Sequence, residues 1–547
     1  MTSIDIDKNK VDFKYLLSTN VKKCLLRFLT LNHIFALRET CTSIKRSIHE
    51  PFVDRVSFKI KRCNINLLPL AKHFKFGNYN PKIKEFKDDD LPTYRYMRNK
   101  IHEISFNVLT KITDITNIDT TYTISSVTLN NEDYNLVISI PKHVNNVTFF
   151  RKEEYDDNIY KIHQSIKTLK IYCGDFSHSL DMFPSTLTHL TIRCTNFYGD
   201  LDGLPHSLTY LNIDVNCPID HLPASIIDLT LGIIFNQSVD CLPQSLKKLG
   251  LGHFFNKNVD LLPSTLTHLT LGYCFNQPID NLPRSLKFLK LGYLFSQPID
   301  YLPNTLIDLT LGKNFTFSVD HLPPSLISLT FGQNFNQPLD NLPASLRFLT
   351  LGENFNQLID HLPTSLLHLT IYGHFNQNVD NLPPSLTHLK LGPSFNQPIN
   401  FLPPSLIRLI LGYSFNQPVD HLPNSLKHLG IGSNYFNYLI DHLPNSLLHL
   451  SLNDYFNRPI NYLPASLYTI DLGCYFRQSL TNIPSSLTNI IFSENSGYLD
   501  VMMTIPKNTT HPRYVICNTD NLPKKHVQFY KEQNIIVSDA RLYSNMD

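Results

Sequence analysis

The chain has 547 residues, too many for one globular core, and its net charge of +2 provides no strong field for nucleic acid or acidic lipid. Its ten cysteines form no C-x-x-C pair, so free thiols in a reducing compartment fit better than a metal site. No apolar run reaches membrane-spanning length, and the N-terminus lacks a signal-type apolar core. We therefore expect a cytoplasmic or nuclear protein without a membrane or nucleic-acid partner.

Residues 13–50 differ in pattern from everything that follows. Thr19 or Asn20 could cap a first short helix and Asn32 a second. Two or three amphipathic helices in so few residues bury little core alone, so the segment needs something to pack against. It could cap the first solenoid strands or dock on another protein. The apolar residues at helical spacing are Val21, Leu25, Leu29, Ile34, Leu37, Cys41 and Ile44.

The next two segments contain strand patterns, which become more regular along the chain. Residues 51–118 are predicted to be a connector and N-terminal cap, with strands at 55–60 and 101–106. Degenerate repeats occupy residues 119–200. Their predicted strands lie at 123–129, 144–149, 166–171 and 187–192.

Residues 201–492 form a regular array with a 20-residue step, which predicts a solenoid. A representative copy, residues 275–292, reads FNQPIDNLPRSLKFLKLG. The step shifts by one residue before Pro444 and then continues to Pro464 and Pro484. The earlier Leu-Pro prolines are Pro223, Pro243, Pro263, Pro283, Pro303, Pro323, Pro343, Pro363, Pro383, Pro403 and Pro423.

The second half of each repeat alternates apolar and polar residues, which indicates a short, half-buried strand. One strand in 20 residues leaves no room for a hairpin, so strands of successive repeats must pair in parallel. Leu289 and Leu291 are predicted to face the core, which Phe275, Ile279 and Leu282 complete. The pattern Leu-x-x-Leu-x-Leu resembles that of leucine-rich repeats. The expected fold is therefore a mainly β solenoid, a curved parallel sheet of about 19 short strands.

Residues 493–547 are predicted to be a C-terminal cap that covers the last edge of the sheet, with one late strand at 514–517.

Two rows of polar residues recur at the corners of the array. An aspartate before x-Leu-Pro could suggest calcium, but Asn400 replaces it once, which favours a structural role in accepting backbone N–H bonds. The asparagine of Phe-Asn-Gln is predicted to bond backbone groups at the opposite corner. The aspartates are Asp240, Asp260, Asp280, Asp300, Asp320, Asp340, Asp360, Asp380 and Asp420.

A third row faces outward from the sheet and varies where the core rows do not. Variable side chains on a constant frame are what a recognition surface requires, and solenoids bind partners on the concave sheet. A metal at the neighbours His368 and His388 is disfavoured, since no third ligand is evident. The candidate target-binding residues are His268, Phe288, Asp308, Phe348, His368, His388, Arg408, His428 and His449.

No enzyme motif stands out from the repeat. The chain lacks G-x-S-x-G, a phosphate-binding G-x-x-x-x-G-K-S/T and H-E-x-x-H. We therefore predict no catalytic residue, no cofactor and no bound metal.

The phrase Phe-Asn-Gln-Pro-Ile/Val-Asp, repeated through the array, closely resembles the FNIP repeat family. The string LNHIFALRETCTSIKR, residues 31–46, resembles the second half of an F-box, and VKKCLLRFL, residues 21–29, resembles the first half. The usual Leu-Pro opening is replaced by Ser18-Thr19-Asn20, and the usual late tryptophan is Ile44.

Together the two patterns resemble the F-box and FNIP repeat-containing proteins. That resemblance implies a substrate-recognition adaptor whose N-terminal helices bind the Skp1 subunit of a cullin ubiquitin ligase. The solenoid would then bind the protein to be ubiquitinated. The alternative is a plain interaction scaffold whose helices only cap the array.

Overall fold

The computed structural model describes residues 145–150, 163–177 and 179–492, residues 501, 504 and 505, and the backbone of six further strands. The predicted helices of residues 13–50 lie outside these described residues. The chain divides into two compact units, Met1–Asp214 and Val215–Asp547. Both units are built from parallel strands, each paired with its neighbour in sequence. No helix in the described part is long and apolar enough to cross a membrane.

The first unit contains eight described strands, from β1 to β8, and a 3₁₀ turn at Leu180–Met182. Every adjacent pair is parallel. The strands are β1 Ser57–Ile60, β2 His73–Phe76, β3 Glu103–Val108, β4 Ser126–Asn131, β5 Asn146–Phe150, β6 Thr168–Phe176, β7 His189–Phe197 and β8 Tyr210–Ile213.

The second unit continues the same parallel arrangement. Its strands are β9 Asp228–Leu231, β10 Lys248–Gly250, β11 His268–Thr270, β12 Phe288–Lys290, β13 Asp308–Thr310, β14 Ser328–Thr330, β15 Phe348–Leu351, β16 His368–Ile371, β17 His388–Leu391, β18 Arg408–Leu411, β19 His428–Ile431, β20 His449–Ser451, β21 Thr469–Leu472, β22 Asn489–Phe492, β23 Arg513–Cys517 and β24 Ile535–Asp539. Within this unit the repeats pair in register, as in Leu349↔Leu369 and Thr350↔Thr370.

Most of the predicted strands are confirmed, and two were missed. The predicted strands at 55–60, 101–106 and 514–517 correspond to β1, β3 and β23. The sequence did not predict β2 or β24, which pair in parallel with β1 and β23. Leu68-Pro69 and Leu522-Pro523 precede these strands, but their apolar runs lack the Leu-x-x-Leu-x-Leu spacing of the array, so the pattern did not mark them as further members of the sheet.

The core of the second unit has the predicted composition. Leu289 and Leu291 are almost fully buried, and Phe275 and Ile279 close the core from the return side. The phenylalanines form a continuous stack, with ring centroids of Phe275 and Phe295 6.1 Å apart and nearly parallel. Offset rings at this spacing interact favourably beyond the area they bury. The same stack runs from Phe235 to Phe476.

Repeats are also joined by hydroxyl groups that the sequence did not single out. The serine or threonine after Pro-x donates to a carbonyl one repeat earlier, as Ser285 does to Leu266 at 2.6 Å and Ser365 to Leu346 at 2.7 Å. This residue lies within a tight turn, in which the N–H of Leu286 donates to the Pro283 carbonyl at 3.0 Å. These bonds satisfy corner carbonyls that a strand ladder leaves free.

Glycine follows most strands because successive repeats approach each other closely there. A Cβ added at Gly272, Gly292 or Gly312 would overlap the carbonyl oxygen of the glycine one repeat earlier. The backbone at these positions needs no unusual φ, so the requirement is space rather than conformation. Where the array gains its extra residue, buried Ser433 follows Gly432, and one repeat later the buried Asn453 takes the glycine position. Asn453 donates to the Phe436 carbonyl at 3.1 Å.

Candidate interaction face

The outward side chains of β9–β22 form one surface, which we call the recognition face. Its first row consists of the residue that begins each strand, and its second row lies two residues later. Parallel in-register pairing places equivalent residues side by side, so each row is continuous across neighbouring strands. The central leucine of each strand points the other way and is buried, as Leu349 shows at 1% exposure.

All nine predicted target-binding residues lie on the first row of this face. His268, Phe288 and Asp308 are register neighbours on β11–β13. A second, longer run extends over β15–β20 and comprises Phe348, His368, His388, Arg408, His428 and His449. Ser328 on β14 lies between the two runs. The structure therefore brings these residues together on one surface, whereas their role in binding stays a prediction.

Aromatic stacking orders both runs. The His268 and Phe288 ring centroids are 4.3 Å apart, and those of Phe348 and His368 are 4.8 Å apart. His368 stacks on His388 at 4.1 Å, and His428 on His449 at 4.5 Å. The rings thus cover one another and leave their edges for contact with other groups.

Partial burial lowers the pKa of these histidines. Burial is the largest cause for His268, followed by the nearby Lys248 charge. For His388, the pKa is lowered first by burial and then by His368 and Arg408. His368 and His449 also have a pKa lowered mainly by burial. The row is therefore an aromatic, hydrogen-bonding surface at neutral pH and gains charge on acidification.

The Phe-Asn-Gln asparagines bond at the corner as predicted. Oδ1 of Asn256 accepts from the backbone N–H of Asn276 at 2.9 Å and from Nε2 of Gln277 at 3.2 Å. The same contacts recur between Asn356, Asn376 and Gln377. This asparagine ladder is part of the frame and leaves little free hydrogen-bonding capacity for a ligand.

The aspartate row differs from the prediction in its partners. Where their bonds are described, these carboxylates accept from side chains of their own or the next repeat rather than from backbone N–H groups. Asp260 accepts from Asn281 at 3.3 Å and Asp320 from Asn341 at 3.1 Å. The carboxylates lie at a corner, where the backbone N–H of Asp260 donates to the Asn258 side chain and that of Asp380 to the Asn378 side chain. Within the described residues, no group of three or more His, Cys, Asp or Glu side chains is placed to hold a metal ion.

Two further surfaces escaped the sequence analysis. The residue after each strand's glycine builds a corner row in which Tyr273 stacks on His253 at 4.5 Å and on Tyr293 at 4.4 Å. Lys313 lies over the Tyr293 ring at 4.9 Å. The recurring position after Leu-Gly could have revealed this row.

In the first unit, an open groove of about 550 Å³ lies on β6–β8. It escaped prediction because its two cations, Lys170 and Arg193, are offset by two residues in the strand register, so aligning the repeats does not place them side by side. It is lined by Thr168, Lys170, Tyr172, His189, Thr191, Arg193, Tyr210 and Asn212.

The seven F-box-like residues cannot be placed on this structure, since residues 13–50 lie outside its described part. Val21, Leu25 and the other members of that apolar set therefore remain a sequence prediction.

The repeat array matches the FNIP Repeat family model. The matches cover residues 235–274, 275–314, 314–354, 335–374, 375–414, 398–434 and 436–475. No match was found among curated protein sequences.

Among solved structures, the chain is similar to CroV588, described as a novel circular LRR protein. The two share 31% identity with a TM-score of 0.60, over 83% of this chain and 70% of that one. YopM from Yersinia enterocolitica WA-314 is 22% identical over 67% of this chain and 91% of its own, with a TM-score of 0.40. InlJ from Listeria monocytogenes is 12% identical over 74% of this chain and 76% of its own, with a TM-score of 0.36.

The recurrent FNIP matches and the similarity to CroV588 over most of both chains agree with the parallel strand register and the stacked phenylalanine core. The chain therefore carries FNIP repeats within residues 235–475 and belongs with CroV588 to the leucine-rich-repeat proteins, its repeats forming a leucine-rich-repeat-like parallel β-solenoid.

Proposed function

We propose that this protein is a non-enzymatic interaction protein that binds a target protein on its recognition face. The observation that carries the proposal is the contrast within each strand. The buried positions repeat leucine with little change, whereas the first outward position ranges from Asp308 through Phe348 to Arg408. A surface that varies on a constant frame suits recognition, because the frame presents side chains without depending on them.

The exposed aromatic rings add to this support. Phe288 and Phe348 are 38% and 42% exposed, although they lie in the middle of a sheet where polar residues would suffice for solubility. Aromatic and arginine side chains supply much of the binding energy in protein interfaces. Phe348 and Arg408 belong to the same run of the face.

We further propose that residues 13–50 dock on a Skp1-like adaptor, which would connect the solenoid to a cullin ubiquitin ligase. Two things support this: the F-box resemblance of residues 21–46, and an apolar stripe on a segment too short to bury it. The alternative is that the same stripe packs on the first solenoid strands and serves only as a cap.

A pull-down with purified Skp1 tests the adaptor role. Leu37→Asp places a carboxylate in the stripe, which must be desolvated without a partner if the stripe is an interface. We expect Leu37→Asp to weaken Skp1 binding by about a hundredfold, because each 1.4 kcal/mol of lost binding free energy corresponds to about tenfold in affinity. Ser43→Asp is the matched control, because it adds the same charge off the stripe.

Limited proteolysis of the same variants separates the alternatives. If Leu37→Asp binds Skp1 normally while residues 50–150 become protease-sensitive, the segment is a cap and the adaptor role is wrong. If the wild type does not bind Skp1, the adaptor role is also wrong.

The role of the recognition face is tested by capture from a cell lysate with full-length protein. If a target protein binds the wild type and the corner variant His421→Glu but not Arg408→Glu, the result supports target binding on the recognition face. Equal capture of every target by all three proteins would contradict it.

A further inference from the structure

We propose that the part of the recognition face over β15–β20 binds an extended acidic segment of its partner protein, and that this binding strengthens as the pH falls. We call this surface the histidine patch. It comprises His368, His388, Arg408, His428 and His449, with the flanking cations Arg347, Lys390 and Lys427. The inference rests on the proposed function in one respect, the use of this face for binding.

The charge distribution selects the chemistry of the partner. Six strands contribute three positions each to the patch: the residue before the strand, the first residue and the third. None of these positions from Arg347 to Ser451 holds an aspartate or glutamate. On the same positions, the nearest carboxylates are those of Asp308 on β13 and Asp471 on β21. The whole chain carries a net charge of only +2, so this concentration of cations is local.

The groups packed around the histidines reinforce the positive charge of the histidine patch. Arg408 lies between His388 and His428 in register. The charged groups that lower the pKa of His428, after burial, are His449, Arg408, His388 and Lys427. At the adjoining corner, Glu353 is engaged with Gln333, while Lys390 lies over the Tyr372 ring at 5.3 Å. The histidines therefore face cations and aromatic rings, with no carboxylate among the causes that shift their pKa.

The direction of the pH effect follows from linkage. In the free protein, burial and neighbouring cations hold the histidine pKa low, so the rings are mostly neutral near pH 7. A carboxylate placed against a ring would favour the imidazolium and raise its pKa. Complex formation therefore takes up protons, and affinity rises as the pH falls toward the pKa of the free histidines.

The stacking of the rings argues for carboxylates rather than nucleic-acid bases. Base recognition by an aromatic surface uses exposed ring faces. Here His368 and His388 stack at 4.1 Å and His428 and His449 at 4.5 Å, so these faces are covered by one another. Their edges carry the ring nitrogens, of which Nδ1 of His388 contacts the Thr387 hydroxyl at 2.9 Å, and an N–H at such an edge suits carboxylate oxygens.

The dimensions of the patch define a probe. Six strands at about 4.8 Å spacing extend over about 24 Å, and an extended peptide covers that length with about seven residues. We would use a fluorescent Glu-Ser repeat peptide of about ten residues. Its glutamates, with an ordinary pKa of about 4.3, stay ionised at pH 5.5.

Fluorescence anisotropy with the full-length protein, at low salt and between about pH 8 and pH 5.5, tests the proposal. We expect the wild type to bind the probe about tenfold more tightly at the lower pH, as expected from two or more new charge contacts. The double variant His388→Gln/His428→Gln should lose most of this gain. Arg408→Gln should weaken binding at both pH values and keep the gain.

His421→Gln is the matched control, because His421 is an exposed corner histidine of the same array. Circular dichroism at each pH verifies that all variants are folded. A Gln-Ser peptide and a single-stranded oligonucleotide of similar length complete the comparison.

An affinity that does not change with pH, or a gain that the double variant retains, would overturn the proposal. Tighter binding of the oligonucleotide than of the acidic peptide would also overturn it and indicate a nucleic-acid surface. If the acidic peptide does not bind but target capture is still lost in Arg408→Glu, the acidic partner is refuted and the proposed function is not. If Arg408→Glu captures every target as well as the wild type does, the proposed function is refuted, whether or not the acidic peptide binds.

Discussion

The two faces of the sheet in β9–β22 differ in how much their residues vary from repeat to repeat. On the inward face the same residue types recur, and the strand leucines, such as Leu329 and Leu349, are 1% exposed. On the outward face the first position changes from repeat to repeat, while the backbone register stays the same. Stability and the proposed recognition thus depend on different side chains of the same short strand, so each can be tested without altering the other.

The largest expected effect comes from a matched pair on β15. Leu349→Ala should lower the free energy of unfolding by about 2–5 kcal/mol, because it leaves a cavity among core residues of three repeats. Thr350→Ala, one residue further on, should cost less than about 1 kcal/mol, since its side chain faces outward. Urea unfolding followed by circular dichroism measures both. Equal losses would contradict the assignment of the two faces.

Asp471 breaks the comparison, because it is an outward, half-buried residue that carries a carboxyl group. Its Oδ2 accepts from the Ser451 hydroxyl at 3.3 Å, and in the described structure its Oδ1 has no hydrogen-bond partner. Burial raises the pKa of this carboxyl to about 6. The folded state therefore binds the proton more tightly than the unfolded state does, and ionisation destabilises the fold as the pH rises from about 4 to 6.

We expect Asp471→Asn to stabilise the protein by about 1–3 kcal/mol at pH 7 and to have little effect at pH 4. Urea unfolding of the variant and the wild type at both pH values measures the difference. A stabilisation that is the same at both would show that packing, rather than ionisation, is responsible. Loss of stability at pH 7 would show that the carboxylate has a favourable partner.

The smallest expected effect concerns the hydroxyl bonds between repeats. Ser365→Ala removes the bond to the Leu346 carbonyl and should cost about 0.5–1.5 kcal/mol. Thr364→Ala removes an exposed hydroxyl from the adjacent position and should change stability by less than about 0.5 kcal/mol. If thermal unfolding shows equal shifts for both variants, the Ser365 bond contributes no more than an exposed hydroxyl does.

The sequence predicted the parts of this fold that depend on period and polarity. The 20-residue step and the Leu-x-Leu alternation determined the strands, the parallel pairing and the inward positions. It missed β2 and β24, whose pairing depends on a neighbouring strand edge rather than on a signature of their own. It also misassigned the partners of Asp260 and Asp320, because backbone and side-chain donors at a corner cannot be distinguished without coordinates.

The recognition face was predictable as a set of positions but not as a physical surface. Aligning the repeats placed His368 beside His388, whereas their ring contact and lowered pKa depend on geometry. The F-box-like segment gains nothing from the structure, and its role rests on residues 21–46 alone.

The contacts between repeats have a consequence for how such a chain can change over generations. Serine hydroxyls reach a carbonyl 19 residues earlier, and asparagine amides reach an N–H 20 residues later, so each repeat interacts with its immediate neighbours. Gain or loss of one whole repeat leaves every such group opposite the same kind of partner. Copying a repeat therefore lengthens the array and adds a new outward residue in one step. The order of residues on the recognition face is therefore open to reshuffling by duplication.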